Sequence, residues 1–313
     1  MLDKIRESVG LMDANAAYSG VMRELRKRIA GKAETLELLF IGLIADGHVL
    51  LEGAPGLAKT TMTKSLAEAI NADFKRIQGT PDLEPKDILG YTYIDESKEV
   101  KFSKGPVFTN ILLIDELNRT QPKTMSALLE SLEERQVTAG GETMALPRPF
   151  TAFATQNPLK IEGTEPLPKV LADRFLMKID VDYPSPEEEQ QMLRLKESNT
   201  YSGINRVLST DDILAMQREA AGVSLPDDVA AYITRVVAAT RTEMHVVMGA
   251  SPRADIAFMQ CAKAKALIEG RKEVSREDIK FLARPVLSHR ITVRSTGGIG
   301  VKGVIDGIIA SVK

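Results

Sequence analysis

The sequence predicts an α/β fold, a parallel sheet flanked by helices, followed by a smaller all-helical part. Three observations carry this. Short, almost wholly apolar runs, Val49-Leu50-Leu51 and Ile111-Leu112-Leu113-Ile114, suit strands buried on both faces of a parallel sheet. A loop of small residues, Gly53 to Thr60, separates the first run from helix-patterned sequence. After Tyr183-Pro184-Ser185-Pro186 the chain shows one helix cap after another. Residues 1–183 are therefore expected to form the α/β domain, with 1–30 a helical segment at its start, and residues 184–313 a helical second domain.

The loop Gly53-Ala54-Pro55-Gly56-Leu57-Ala58-Lys59-Thr60 has the order a phosphate cradle needs: strand, glycine-rich turn, helix. Backbone N–H groups then point inward and the helix N-terminus adds positive potential, so the loop and the following Thr61 are candidate nucleotide contacts. Lys59 is placed to reach β- and γ-phosphates and the Thr60 hydroxyl to hold Mg²⁺. Ala58 stands where a second glycine is usual, which is tolerable if its φ stays negative. The second motif is Ile111-Leu112-Leu113-Ile114-Asp115-Glu116. Its two acids fall at a strand's carboxyl end, the edge where open α/β sheets bind ligands. Asp115 would hold Mg²⁺ through water and Glu116 would polarise the attacking water.

The 313 residues suffice for one large and one smaller core. A formal net charge of −2 shows no basic excess, so nothing global argues for a nucleic-acid or anionic-membrane partner. Cys261 is the single cysteine, so there is no internal disulfide, which fits a reducing, cytoplasmic setting. Residues Met1 to Glu7 lack a signal-peptide core, and the greasiest stretch, Leu36 to Ala45, is too short to span a bilayer.

Residues 3–30 read as an amphipathic helix interrupted near Gly10 and Gly20, with Val21, Met22, Leu25 and Ile29 on one face and Arg23, Arg26, Lys27 and Arg28 solvated. A helix from Ala33 to Ala45 feeds the first strand. The layout resembles that of P-loop ATPases, which implies that the turn before that helix lies against adenine, so Ile29, Ala30 and Gly31 are candidate base contacts; ordinary packing is the plain alternative. Phe74 to Gln78 reads as a strand. Tyr91 to Ile94 and Val100 to Phe102 form a hairpin, as do Gln136 to Thr138 and Thr143 to Leu146. Between them lies a helix, Thr120 to Arg135. The strand Phe150 to Thr155 ends in Gln156-Asn157-Pro158, where an amide could hold the attacking water. Later caps at Ser185, Ser209, Pro226, Ser251 and Ser275 open helices; the glycine-rich tail suggests no role. Cys261 and the histidines at 48, 245 and 289 read as structural, with no metal-ligand spacing.

The order of these motifs resembles the AAA+ ATPases, in the clade with one hairpin inside helix 2 and another before the sensor-1 strand. Gly56-Leu57-Ala58-Lys59-Thr60, Asp115-Glu116-Leu117-Asn118-Arg119, Ala154-Thr155-Gln156-Asn157-Pro158 and Ala250-Ser251-Pro252-Arg253-Ala254 are similar to the MoxR family. Gly163-Thr164-Glu165-Pro166-Leu167-Pro168 and Leu287-Ser288-His289-Arg290 fit as well. Lys32, Leu117 and Glu165 depart from common choices there. The resemblance implies ATP and Mg²⁺ as ligands, Asn157 as sensor 1, Arg174 as the finger toward a neighbouring subunit's γ-phosphate, and Arg253 as the sensor-2 arginine. Arg119 is a second candidate for the finger. It further implies a homo-oligomeric, hexameric ring with a chaperone-like action on a client protein, in many cases one with a von Willebrand factor A domain. The alternatives are a nucleotide-gated scaffold with slow hydrolysis, and a metal-chelatase-type or nucleic-acid motor.

Overall fold

The computed structural model describes residues 13–158, 167–197, 203–294 and 299–313. The expectations for residues 3–12, the Gly163–Pro166 part of one motif and Gly297-Gly298 lie outside these. In chain order the first elements are α1 (Ala14–Leu25), α2 (Ala33–Ile44), β1 (Val49–Glu52), α3 (Lys59–Ala69), β2 (Phe74–Gln78) and the short α4 (Pro85–Leu89). Then come β3 (Gly90–Ile94), β4 (Val100–Lys104), β5 (Ile111–Asp115), α5 (Pro122–Glu134), β6 (Gln136–Ala139), β7 (Glu142–Ala145), β8 (Thr151–Gln156), α6 (Lys169–Ala172) and β9 (Met177–Asp180).

The central sheet is parallel throughout, in the order β2-β5-β8-β1-β9. Register levels its carboxyl edge: Glu52 lies opposite Gln156, and Gln78 opposite Asp115. Side chains alternate between two cores, as strand pleating requires. Val49, Leu51, Ile111, Leu113 and Phe153 face one core with α1, α2 and α3, while Leu50, Leu112, Ile114, Ala152 and Ala154 face the other with α5. Both faces are covered, which is why these strands are continuous apolar runs.

The two hairpins form as expected, β3 with β4 and β6 with β7, both antiparallel. α1 is not broken at Gly20, which is buried and faces Val207 closely enough that a Cβ would sit 3.0 Å from its methyl. The glycine there serves packing rather than a turn.

From Pro186 the chain runs through α7 (Pro186–Glu197), α8 (Thr210–Ala221), α9 (Asp227–Thr242), α10 (Arg253–Ile268), α11 (Arg276–Leu287) and α12 (Val301–Ser311). Ser209 and Ser275 close reciprocal capping boxes with Asp212 and Asp278, and Ser185 does so with Glu188. The all-helical expectation needs correcting. β10 (Val246–Met248) and β11 (Thr292–Val293) form a small antiparallel sheet, from runs too short to show alternation in sequence. The tail also has a place: α12 buries Val304, Ile305 and Ile308, and Lys302 and Asp306 pair with Asp180 and Arg284.

Candidate nucleotide site and the arginine cluster

At the carboxyl edge of the sheet, a cavity of about 340 Å³ is lined by Gly53, Pro55 to Thr61, Asp115, Glu116 and Thr155 to Asn157. The loop and acid motifs, 55 residues apart between Thr60 and Asp115, thus meet, with the Thr60 hydroxyl donating to Asp115 Oδ2 at 3.3 Å. Lys59 Nζ donates to the carbonyls of Gly53 (2.7 Å) and Ala54 (2.8 Å). Burial lowers its pKa, while the Asp115 and Glu116 carboxylates pull the other way. Asn157 lines the same cavity, and its carbonyl accepts from Asn118 Nδ2 at 3.4 Å.

Ala58 overturns one expectation: it adopts φ 58°, ψ 18°, left-handed backbone, immediately before α3. The turn therefore imposes on a methyl-bearing residue a conformation that costs about 1–2 kcal/mol relative to right-handed backbone. Glu116 is likewise left-handed, at φ 56°. Its carbonyl swings against Gly79, where a Cβ would lie 2.3 Å from that oxygen, so only glycine admits the turn that aims Glu116 off the strand.

Several residues around the acids carried no sequence signal of their own. The Thr155 hydroxyl donates to Asp115 Oδ1 at 2.6 Å and accepts from the Glu116 N–H at 2.8 Å, tying both acids to the next strand. From β2, Arg76 pairs with Asp115 Oδ2 at 2.7 Å and Gln78 donates to Glu116 Oε2 at 3.2 Å. Arg119 pairs with Glu116 at 2.8 Å, so it sits at this chain's own acid. The period-two pattern of β2 places Arg76 and Gln78 on one face; only the strand order shows what they meet.

Neither Ile29 nor Gly31 lines this cavity. Ile29 is 3% exposed and packs in the core. Gly31, at φ 63°, has the Glu188 carboxyl group against it, and Lys32 Nζ donates to the Asp182 carbonyl at 2.6 Å.

Arg174 and Arg253 are brought together elsewhere, in a second cavity of about 470 Å³ that they line with Asp46, Glu133, Asp173 and Arg290. Arg174 pairs with Glu133, and Arg253 Nη2 donates to Glu133 Oε1 at 3.0 Å. Burial and the nearby Arg253 charge push the Arg174 pKa down. Behind them, Asp173 accepts from Arg290 Nε at 3.0 Å and from Ser251 Oγ at 2.9 Å. Arg290, 5% exposed, also donates to the carbonyls of Phe175, Leu176 and Val286. His289 bonds the Phe175 carbonyl at 3.0 Å. The start of α10 and the end of α11 are thereby fastened to the segment carrying Arg174.

The profile of the ATPase family associated with various cellular activities (AAA) matches residues 48–177, and the AAA lid profile matches residues 238–299. Chaperone MoxR1 of Mycobacterium tuberculosis is 41% identical over 280 residues, covering 86% of this chain and 74% of that protein. The chain belongs to the MoxR family of AAA+ ATPases. Other MoxR-type similarity includes Protein MoxR of Paracoccus denitrificans, 30% identical over 316 residues, covering 89% of this chain and 87% of that one. YeaC of Bacillus subtilis is 42% identical over 306 residues, covering 96% of each chain. A crystal structure of a provisionally assigned ATPase from Cytophaga hutchinsonii superposes with a TM-score of 0.89 at 36% identity, covering 99% of this chain and 98% of that one. Membership of the AAA ATPases implies ATP binding, and the AAA lid match falls within the helical second part of the chain. Among the described residues, no helix is long and apolar enough to cross a membrane.

Proposed function

We propose that this MoxR-type chain hydrolyses ATP to ADP and phosphate in a homo-oligomeric ring, taken as a hexamer, and uses the cycle to remodel or activate a partner protein. The supporting observation is the division of the machinery. Lys59, Thr60, Asp115, Glu116 and Asn157 share one cavity, whereas Arg174 and Arg253 share another that contains none of them. Arginines that sit apart from their own phosphate loop are what a site shared between subunits requires.

In this reading the loop N–H groups and Lys59 bind the phosphates, and Thr60 and Asp115 hold Mg²⁺. Their hydroxyl and carboxylate oxygens are the hard donors this ion prefers. When bound, the metal would supply positive charge that offsets the charge of the phosphates. Glu116 takes the proton of the water that attacks the γ-phosphorus, as the bond to the bridging oxygen breaks and ADP leaves; Asn157 orients that water. Thr155 holds both acids in register throughout. A neighbour's Arg174 and Arg253 offset the charge spread over the γ-phosphoryl oxygens, an effect that can reach about 10³–10⁵ in rate. The adenine contacts, if the turn at Ile29 and Gly31 supplies them, are made through backbone, since the Ile29 side chain is committed to the core. The chaperone naming of the mycobacterial relative supports a protein client, one with a von Willebrand factor A domain being the first to try. We place the domain boundary at residue 184 and the protein in the cytoplasm.

Glu116→Gln should bind ATP and lose turnover. Arg174→Ala should lose turnover too, and excess Glu116→Gln subunits should partly restore it by supplying the arginine in trans. Turnover per subunit that does not depend on protein concentration would overturn the shared site.

A further inference from the structure

Two guanidinium groups share one carboxylate in the arginine cavity. Glu133, at the end of α5, is the acid that both Arg174 and Arg253 reach. Their next acid, Asp173, is 3.9 Å from Arg253 Nε and is already engaged by Arg290 and Ser251. Arg174 and Glu133 are largely shielded, at 18% and 31% side-chain exposure, while Arg253 is half-open at 48%. At this point two guanidiniums meet a single carboxylate. The arginines come from different parts of the chain, one before β9 and one at the first turn of α10, where the helix dipole disfavours a cation. Something must offset that cost, and Glu133 is the group that touches both.

We propose that Glu133 is a positioning residue, an internal anion that gathers Arg174 and Arg253 at one point and must release them to a neighbouring subunit's terminal phosphate. The inference rests on the shared-site reading above. A phosphoryl group and a carboxylate cannot both occupy the space between two guanidiniums without like-charge repulsion, which is strong where solvent is partly excluded. Glu133 therefore keeps the pair aligned but competes with the phosphate, so every subunit contact made through these arginines is weaker by the cost of breaking the Glu133 pairs. Assembly of the ring then responds to the triphosphate, because only a more highly charged anion than a carboxylate takes over both arginines.

The test is Glu133→Gln, which keeps size and one acceptor while removing the charge. Association with ATP is followed by sedimentation velocity across protein concentration in the Glu116→Gln background, so that nucleotide persists. Two partly exposed ion pairs of ordinary strength put the expected fall in the association midpoint at about three- to tenfold. Adding Arg174→Ala and Arg253→Ala together should erase that gain, because the charge then has no arginine to hold back. A midpoint that stays or rises in Glu133→Gln, with circular dichroism unchanged, overturns the proposal, as does a gain that survives removal of both arginines. If Glu133→Gln unfolds, Glu133→Ala and Glu133→Met are measured in the same way, and failure of every variant to fold makes Glu133 a structural residue and also overturns it. Arg174→Ala and Arg253→Ala are measured separately in the otherwise native chain. No change in assembly or turnover there removes the shared site itself, and this proposal with it.

Discussion

Replacing Arg290 by Met gives the sharpest check on how the lid is held. The guanidinium is 5% exposed and donates to the carbonyls of Phe175 (2.8 Å), Leu176 (3.0 Å) and Val286 (2.6 Å), as well as to Asp173 (3.0 Å). Met fills a similar space, so the cavity contribution is small. The Phe175 carbonyl keeps His289 as a partner, so the Leu176 and Val286 carbonyls carry the loss, at about 1 kcal/mol each and about 2 kcal/mol in all. Asp173 adds little, since it keeps the Ser251 hydroxyl and is a quarter exposed. Urea unfolding followed by circular dichroism should show that loss. Turnover at permissive temperature should fall as well, because the anchored segment continues directly from Arg174. A stability loss under about 1 kcal/mol would refute the reasoning, since it would mean that those carbonyls find other donors or water.

Two further outcomes are expected. Thr155→Val removes the hydroxyl that ties Asp115 to Glu116; turnover should fall about 10–100-fold and the Mg²⁺ requirement should rise, with metal-free nucleotide binding unchanged, while wild-type Mg²⁺ dependence would contradict the role given to that hydroxyl. His48 gives a pH dependence: its Nε2 faces the Leu132 carbonyl at 2.7 Å and its Nδ1 accepts from the Ala152 N–H at 3.0 Å, so the ring is held neutral and burial pushes its pKa down to about 4. The folded pKa lies below the unfolded one. The unfolded chain therefore binds the proton first as pH falls, and stability present above about pH 6.5 declines toward pH 4 by up to about 3 kcal/mol. His48→Gln should flatten that slope in urea titrations taken at successive pH values, and an unchanged slope would show that other groups carry it.

How far the sequence could be read depended on whether a feature was local. The phosphate loop and the Asp115-Glu116 pair are contiguous motifs flanked by strand and helix signals, so they were legible, and so were the hairpins and the Ser209 and Ser275 caps. Thr155 was visible only as part of a family motif, because its role depends on β8 lying beside β5, and pairing order is not written in either strand alone. Glu133 sits in an ordinary amphipathic helix, and its meeting with Arg253 spans 120 residues of chain. Arg290 and Asp173, 117 apart, are the same case. The left-handed Ala58 defied a propensity argument that holds for isolated residues, since the strand and helix on either side dictate the path between them. The lid sheet escaped notice because two or three residues cannot display a period.

The tip of the β6–β7 hairpin rests on the flank of the β3–β4 hairpin. A Cβ on Gly140 would stand 2.8 Å from the Thr92 methyl, in a backbone conformation, φ 62°, that already favours glycine. Tyr91 and Tyr93, on the opposite side of Thr92's strand, are exposed and close enough to touch. The two ribbons thus meet where the Gly140 backbone lies against the Thr92 side chain. Any side chain put at Gly140 has to push that threonine aside, and with it the strand that carries the tyrosines.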